Sequence, residues 1–351
     1  MAQRTSGRTA PLARTVLGLM LGGSMCGAEQ AAAESLDITW HTVGAPGNHP
    51  WEDDRYPNHA FYGRGRVEHV YRMSETEVTA GQWIDFVRAY GPHADDPFEQ
   101  GLLGWYISGS YQDGQLRYEV LDGFENHPTD ADWRMAARFC NWMHNGRIDE
   151  PWAFEGGVYD TSTFTSNNDP PPFYNDEDTH APDARYWIPT LDEWMKAVYY
   201  DPDKDGAGGW WEQPNGTDTM LIAEWPENGG ETNAGLAAVY GGGTWDPRLH
   251  AGLYPDVRTP WGLLDASGGL REWTEEWTDP DTHPGRYVKG SNMDDWFMYD
   301  WHDWVASDSY SAPVYSIGVG VRLAAAVPTP SAGIAICAWL GLRIMRRRSR
   351  S

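Results

Sequence analysis

Apolar residues recur with helical spacing in three stretches of the chain. Over 78–90, Trp83, Phe86, Val87 and Tyr90 fall at i, i+3, i+4 and i+7, and Thr79 with Gln82 offers a capping box, so a helix with one buried face is expected. Over 130–145, Trp133, Ala136, Ala137, Cys140 and Met143 form the stripe and Gly146 supplies the stop. Over 191–200, Thr190 and Glu193 make a second capping box, Trp194, Ala197 and Val198 face inward, and Pro202 forbids continuation. Elsewhere the chain is dense in Gly, Pro, Asn and Asp. Short apolar pieces at 38–43, 67–73, 185–188 and 317–323 read as brief strands between long loops. Loops of that length need ligands or interlocked aromatics to hold them. No internal repeat or linker stands out, so a single loop-rich α+β domain is expected, with 167–183 as an inserted surface loop.

The two ends follow another pattern. Arg4, Arg8 and Arg14 precede an apolar run over 15–26 and then small residues, the order of a secretory signal peptide over 1–33. At the other end Pro328 and Pro330 precede a 12-residue apolar run over 331–342 and an arginine cluster. As a helix that run covers about 18 Å, short of a ~30 Å hydrocarbon core unless Arg343 snorkels. Residues 327–351 therefore read as a sorting tail with a short membrane-associated helix, and 34–326 as the working domain. The expected location is outside the cytoplasmic membrane, at the cell surface or beyond it, anchored by the tail.

Charge sharpens this division. The net charge is −25, with +2 in the first 33 residues, +5 in the last nine and −32 between them. So acidic a surface repels phosphate backbones, which excludes nucleic acid as a partner and favours divalent cations. Of three cysteines, Cys26 and Cys337 lie in the end segments, leaving the domain Cys140 alone, on a core stripe, and no internal disulfide. Twenty Trp, 18 Tyr and 9 Phe supply the packing.

One stretch, 201–212, satisfies D-x-D-x-D-G-x5-E, with Asp201, Asp203, Asp205 and Glu212 as candidate calcium ligands. Pro202 and the Gly208-Gly209-Trp210-Trp211 run are foreign to an EF-hand, and a solvated acidic turn is the other reading. There is no H-E-x-x-H, C-x-x-C, phosphate-binding G-x-x-x-x-G-K or G-x-S-x-G, and the eleven histidines are scattered without ligand spacing.

A broader constellation runs in order: TVGAPGN (42–48), YRMSETEVTAGQW (71–83), WRMAARFCNWMHNG (133–146), YWIPTLDEW (186–194), TPWGLLDASGGLREW (259–273) and GVGVRL (318–323). Together these resemble the formylglycine-generating enzyme, or sulfatase-modifying factor, family over roughly 38–324. The tail resembles the PEP-CTERM sorting signal, with Thr329 where Glu is usual, which implies an exosortase as processing partner. The resemblance implies an α+β, C-type-lectin-like fold, often calcium-bound. It implies a calcium loop in which the Asp265 and Glu272 carboxylates and the Gly268 and Leu270 carbonyls are ligands; Gly269 and Arg271 depart from the family pattern.

The active enzymes of the family hold Cu(I) with two cysteine thiolates in the last third of the domain, and 288–322 contains no cysteine. Copper is therefore not expected, and calcium is. In place of thiols the segment carries Trp296, Tyr299, Trp301, Trp304 and Tyr310 among short polar residues, a composition suited to contact surfaces. The expectation is a calcium-stabilised, non-catalytic module binding an extracellular peptide or glycan. Two alternatives stand beside it: a formylglycine-generating oxidoreductase or related oxygenase using other ligands, and a structural component of the extracellular matrix.

Overall fold

A computed structural model describes residues 36–167, 173–240, 243–279, 281, 284–294, 302–307, 309–314 and 317–328. The expected leader lies outside these residues, as does the expected tail beyond 328. No helix among the described residues is long and apolar enough to cross a membrane.

The three periodic stretches form helices. Ala80–Tyr90 is capped by Thr79, whose side chain accepts from Gln82 N while Gln82 returns a bond to the Thr79 backbone. Leu191–Tyr199 repeats the device with Thr190 and Glu193. Trp133–His144 begins later than expected, because Asp132 is the cap and Ala131 N is drawn to Val319 O at 3.0 Å. It ends where Gly146 turns to φ +79 and the Arg147 amide bonds back to Trp142 O, a closure that glycine permits without strain.

Two four-stranded sheets carry the rest of the frame. The first runs Trp40–Val43, Tyr71–Ser74, Ala324–Ala326, Tyr186–Trp187, antiparallel throughout. The second runs Tyr310–Ser311, Arg286–Lys289, Arg271–Trp277, Val319–Gly320, its last pair parallel. A separate hairpin, Ile107–Gln112 with Gln115–Val120, turns at Asp113 and Gly114, both at positive φ.

Helix and sheet faces meet in an aromatic core in which Trp83, Phe86, Phe139, Trp133 and Trp273 are fully buried. Buried indoles need acceptors, and most find them: Trp83 Nε1 donates to Leu102 O at 2.7 Å, and Trp273 Nε1 to Ala131 O at 2.8 Å. Arg286, also fully buried, lies between the rings of Trp133 (3.5 Å) and Trp277 (3.9 Å). The 167–183 segment is more than a solvated insertion. Its Asp176 is buried against Arg134 at 2.6 Å, and its Asp178 accepts from Trp277 Nε1 at 3.0 Å.

Candidate functional site

Asp265, Gly268 and Leu270 lie on the 264–270 loop, and Glu272 on the Arg271–Trp277 strand that follows it. Asp265 takes φ +53, and its Oδ2 accepts from Gly252 N at 2.5 Å. Glu272 is committed elsewhere. Its carboxylate receives Arg322 Nε at 2.9 and 3.0 Å, Arg322 NH2 at 2.7 Å, and Trp194 Nε1 at 2.5 Å. Arg322 is fully buried and also donates to the carbonyls of Ser74, Glu75, Leu264 and Asp265. Glu77 completes the group: Oε1 accepts from Leu270 N at 3.0 Å, while the buried Oε2 has no hydrogen bond and lies 3.8 Å from Arg322.

Three acids thus face one guanidinium. Burial, then the neighbouring Glu272 and Asp265, push Glu77 well above the ordinary carboxylate range, and burial lifts Asp265 to about 6. The oxygen donors suit a hard cation in kind, and the buried Glu77 Oε2 is left without a hydrogen bond. A calcium ion here would take Asp265 and the Gly268 and Leu270 carbonyls, and share Glu272 with Arg322.

The 201–212 acids are not brought to one centre. Asp201 Oδ1 accepts from Asp203 N at 2.8 Å, Asp201 Oδ2 takes Trp211 Nε1 at 3.1 Å, and Glu212 is bonded to Arg55. Gly206, the turn glycine of the pattern, does turn, at φ +73, but beyond it Gly209–Trp210 pairs as a strand with Tyr200–Asp201. Among the described residues no three His, Cys, Asp and Glu side chains are grouped so as to hold a metal ion.

Glu212 belongs to a different feature, an open cleft of about 480 Å³ between the 49–55 loop and the 204–218 segment. The segments are stitched by Trp210 Nε1 donating to His49 O (3.2 Å) and by His49 Nε2 within 3.2 Å of Gly208 O. Trp51, Trp210 and Trp211 contribute aromatic walls, and Glu52, Asp53, Asp54, Glu212 and Asp218 carboxylates. Gly65, at φ +86, lets the Trp210 ring lie against the backbone, because a Cβ there would strike it.

Of the expected contact aromatics, Trp296, Tyr299 and Trp301 lie outside the described residues. Trp304 serves as a buttress to this cleft, edge-on to Trp51 (6.2 Å) and Tyr56 (5.0 Å), while the adjacent Val305 N donates to Glu212 O at 3.1 Å. Tyr310 is 64% exposed on the edge strand Tyr310–Ser311. Cys140 is buried in the core, its thiol pushed well up by burial and by the Glu275 charge, so it is no nucleophile.

Sequence reasoning missed Arg322, Glu77 and the 49–55 wall. The last was signalled by Trp51-Glu52-Asp53-Asp54, an acidic run beside a tryptophan. It also missed a buried junction at Glu275, which accepts from Tyr159 OH (2.5 Å) and Thr179 Oγ1 (3.0 Å) and lies 2.9 Å from His180 Nδ1.

The family model of the sulfatase-modifying factor enzyme 1-like domain matches residues 47–327. Similar solved structures include Treponema denticola variable protein 1, at 17% identity and TM-score 0.46, covering 83% of this chain and 95% of that one. CarF is similar at 19% identity and TM-score 0.46, covering 84% and 100%. PvdO from Pseudomonas aeruginosa follows at 13% identity and TM-score 0.39, covering 83% and 92%. No curated protein matches the chain.

Proposed function

The chain belongs to the sulfatase-modifying factor enzyme 1-like family, and from that premise we propose that it is an exported, non-catalytic binding module of the cell surface. The observation that carries the reading is the missing thiol pair. Between Cys140 and Cys337 there is no cysteine, and Cys140 is sealed in the core. Cu(I) prefers soft thiolate ligands, and the oxygen donors and indoles of this chain are no substitute for them. What the scaffold offers a partner instead is an open, tryptophan-walled, acidic cleft buttressed by Trp304.

Calcium has a structural part in this reading, at Asp265, Glu272 and the Gly268 and Leu270 carbonyls. Its charge would offset the acid excess around Arg322 and tie the 264–270 loop to the strand that follows. The test is direct: the purified protein is incubated with Cu(I), oxygen, a thiol reductant that supplies the two further electrons oxygen requires, and a peptide containing Cys-x-Pro-x-Arg. Unchanged peptide by mass spectrometry is the expected outcome, and conversion of its cysteine to formylglycine overturns the proposal.

A further inference from the structure

We propose that the cleft between the 49–55 loop and the 204–218 segment is a site for arginine- or lysine-bearing peptide segments. The inference deepens the binding-module reading by naming the place and the chemical class of the ligand. The cleft already holds two cations of its own. Asp53 holds Arg55 in a two-pronged pair, with Nε at 3.0 Å from each oxygen and NH2 at 2.6 Å, and Glu212 takes a further bond from the same guanidinium. Lys204 lies with Nζ 3.7 Å above the Trp211 ring, 2.6 Å from Trp210 O and 3.5 Å from Asp218. An ammonium on an indole face, backed by a carbonyl and a carboxylate, is the arrangement by which aromatic sites take up organic cations.

These internal cations leave the cleft short of positive charge. Among the lining residues its five carboxylates have Arg55 and Lys204 as cations, with the imidazole of His49, and Glu52 and Asp54, both exposed, make no hydrogen bond or ion pair among the described residues. The deficit selects the ligand. A hard divalent ion needs six or more oxygens around it, and among the described residues the cleft's carboxylates are not grouped to hold one. A guanidinium is weakly hydrated, stacks on indole and meets carboxylates in the same plane, so it suits walls made of both. A volume of about 480 Å³ admits more than one side chain, which points to a segment of peptide rather than a single cation.

Calorimetric titration of the purified full-length chain with hexa-arginine, a hexaglutamate control and a neutral chitooligosaccharide tests the assignment. Hexa-arginine should bind, and raising salt from about 50 to 500 mM should weaken it, as screening of exposed charge requires. Changing Glu52→Gln and Asp54→Asn together, at exposed positions that the fold does not use, should weaken binding about tenfold. Lys204→Met should act oppositely and tighten binding, since it removes the resident cation from the Trp211 face. No binding, preference for the neutral sugar, affinity unchanged in the double variant, or weaker binding by Lys204→Met would each overturn the assignment. The copper assay keeps the two readings apart. Formylglycine formed while hexa-arginine still binds defeats the non-catalytic reading alone; an inert peptide with no hexa-arginine bound defeats the cleft alone.

Discussion

Replacing Arg322 by methionine keeps the length and apolar stem of the side chain and deletes one buried positive charge. In the native protein that charge faces Glu272, Glu77 and Asp265 and donates to four backbone carbonyls. Breaking a buried ion pair from one side costs about 3–5 kcal/mol, because the surviving charge is left in a medium that solvates it poorly. The alternative is to take up a proton. Neutralising a glutamate at pH 7, from its ordinary value near 4.3, costs about 3.7 kcal/mol. The two routes agree on roughly 4 kcal/mol, which for a domain of this size lowers Tm by about 8–16 °C. They also fix a pH dependence. If the stranded acid escapes by protonation, the deficit shrinks by about 1.4 kcal/mol for each unit of pH lowered, nearing 1 kcal/mol at pH 5. Tryptophan fluorescence melts of native and Arg322→Met protein at pH 5, 6 and 7 measure both slopes. A Tm within about 2 °C of native at pH 7, or a deficit that does not change with pH, refutes the account. Glu77→Gln is the companion control: burial already favours the protonated acid, so the amide should cost little.

Calcium in excess should raise Tm, by the equivalent of about 2.7 kcal/mol at 100 times the dissociation constant, and Asp265→Ala should abolish the gain; melts in calcium and in chelator decide it. Asn141→Ala should cost about 3 kcal/mol or more by urea titration, because the buried amide holds Phe154 O, Val158 N and both backbone groups of Tyr159, and their loss leaves polar groups unpaired. Stability should rise as pH falls from 8 towards 5; above pH 8 the Lys196 ammonium, lowered by burial to about 8, opposes the trend. Burial raises Asp130 to about 8 and Asp132 and Glu276 to about 7, so these acids gain protons on folding, and the stability they bring at low pH is lost as pH rises through those values. His180, raised by its bond to Glu275 against the cost of burial, adds to the same trend, and His127 and His144, both lowered chiefly by burial, oppose it. A melt series peaking above pH 8 would contradict the balance.

Local signals were legible in the sequence, and long-range ones were not. Thr79 with Gln82, Thr190 with Glu193, and the stripe from Trp133 to Met143 each lie within a few residues, so chain order alone announces those helices. The Asp113-Gly114 turn was equally local, and the alternation of Leu116, Tyr118 and Val120 with Arg117 and Glu119 marks the strand after it, a hairpin signal that sequence reasoning overlooked. The calcium reading named Asp265 and Glu272 from a contiguous motif. Arg322, which occupies Glu272, stands 50 residues on and is recognised only when Glu77, Asp265 and Glu272 close around it. The same holds for the cleft: His49 meets Gly208 across 159 positions of sequence. The pattern at 201–212 was present in letters, but Trp210 and Trp211 gave its backbone a strand and a wall to form instead.

The strand Ala324–Ala326 lies inside its sheet, with Tyr71–Ser74 on one side and Tyr186–Trp187 on the other. Synthesis delivers this piece after everything else in the domain. Until it arrives, both neighbouring strands show open edges and the Arg322 seat among the acids is vacant. Completion is thus postponed to the final few residues of the domain, and a product truncated before 322 would lack both the inner strand of the sheet and the buried cation.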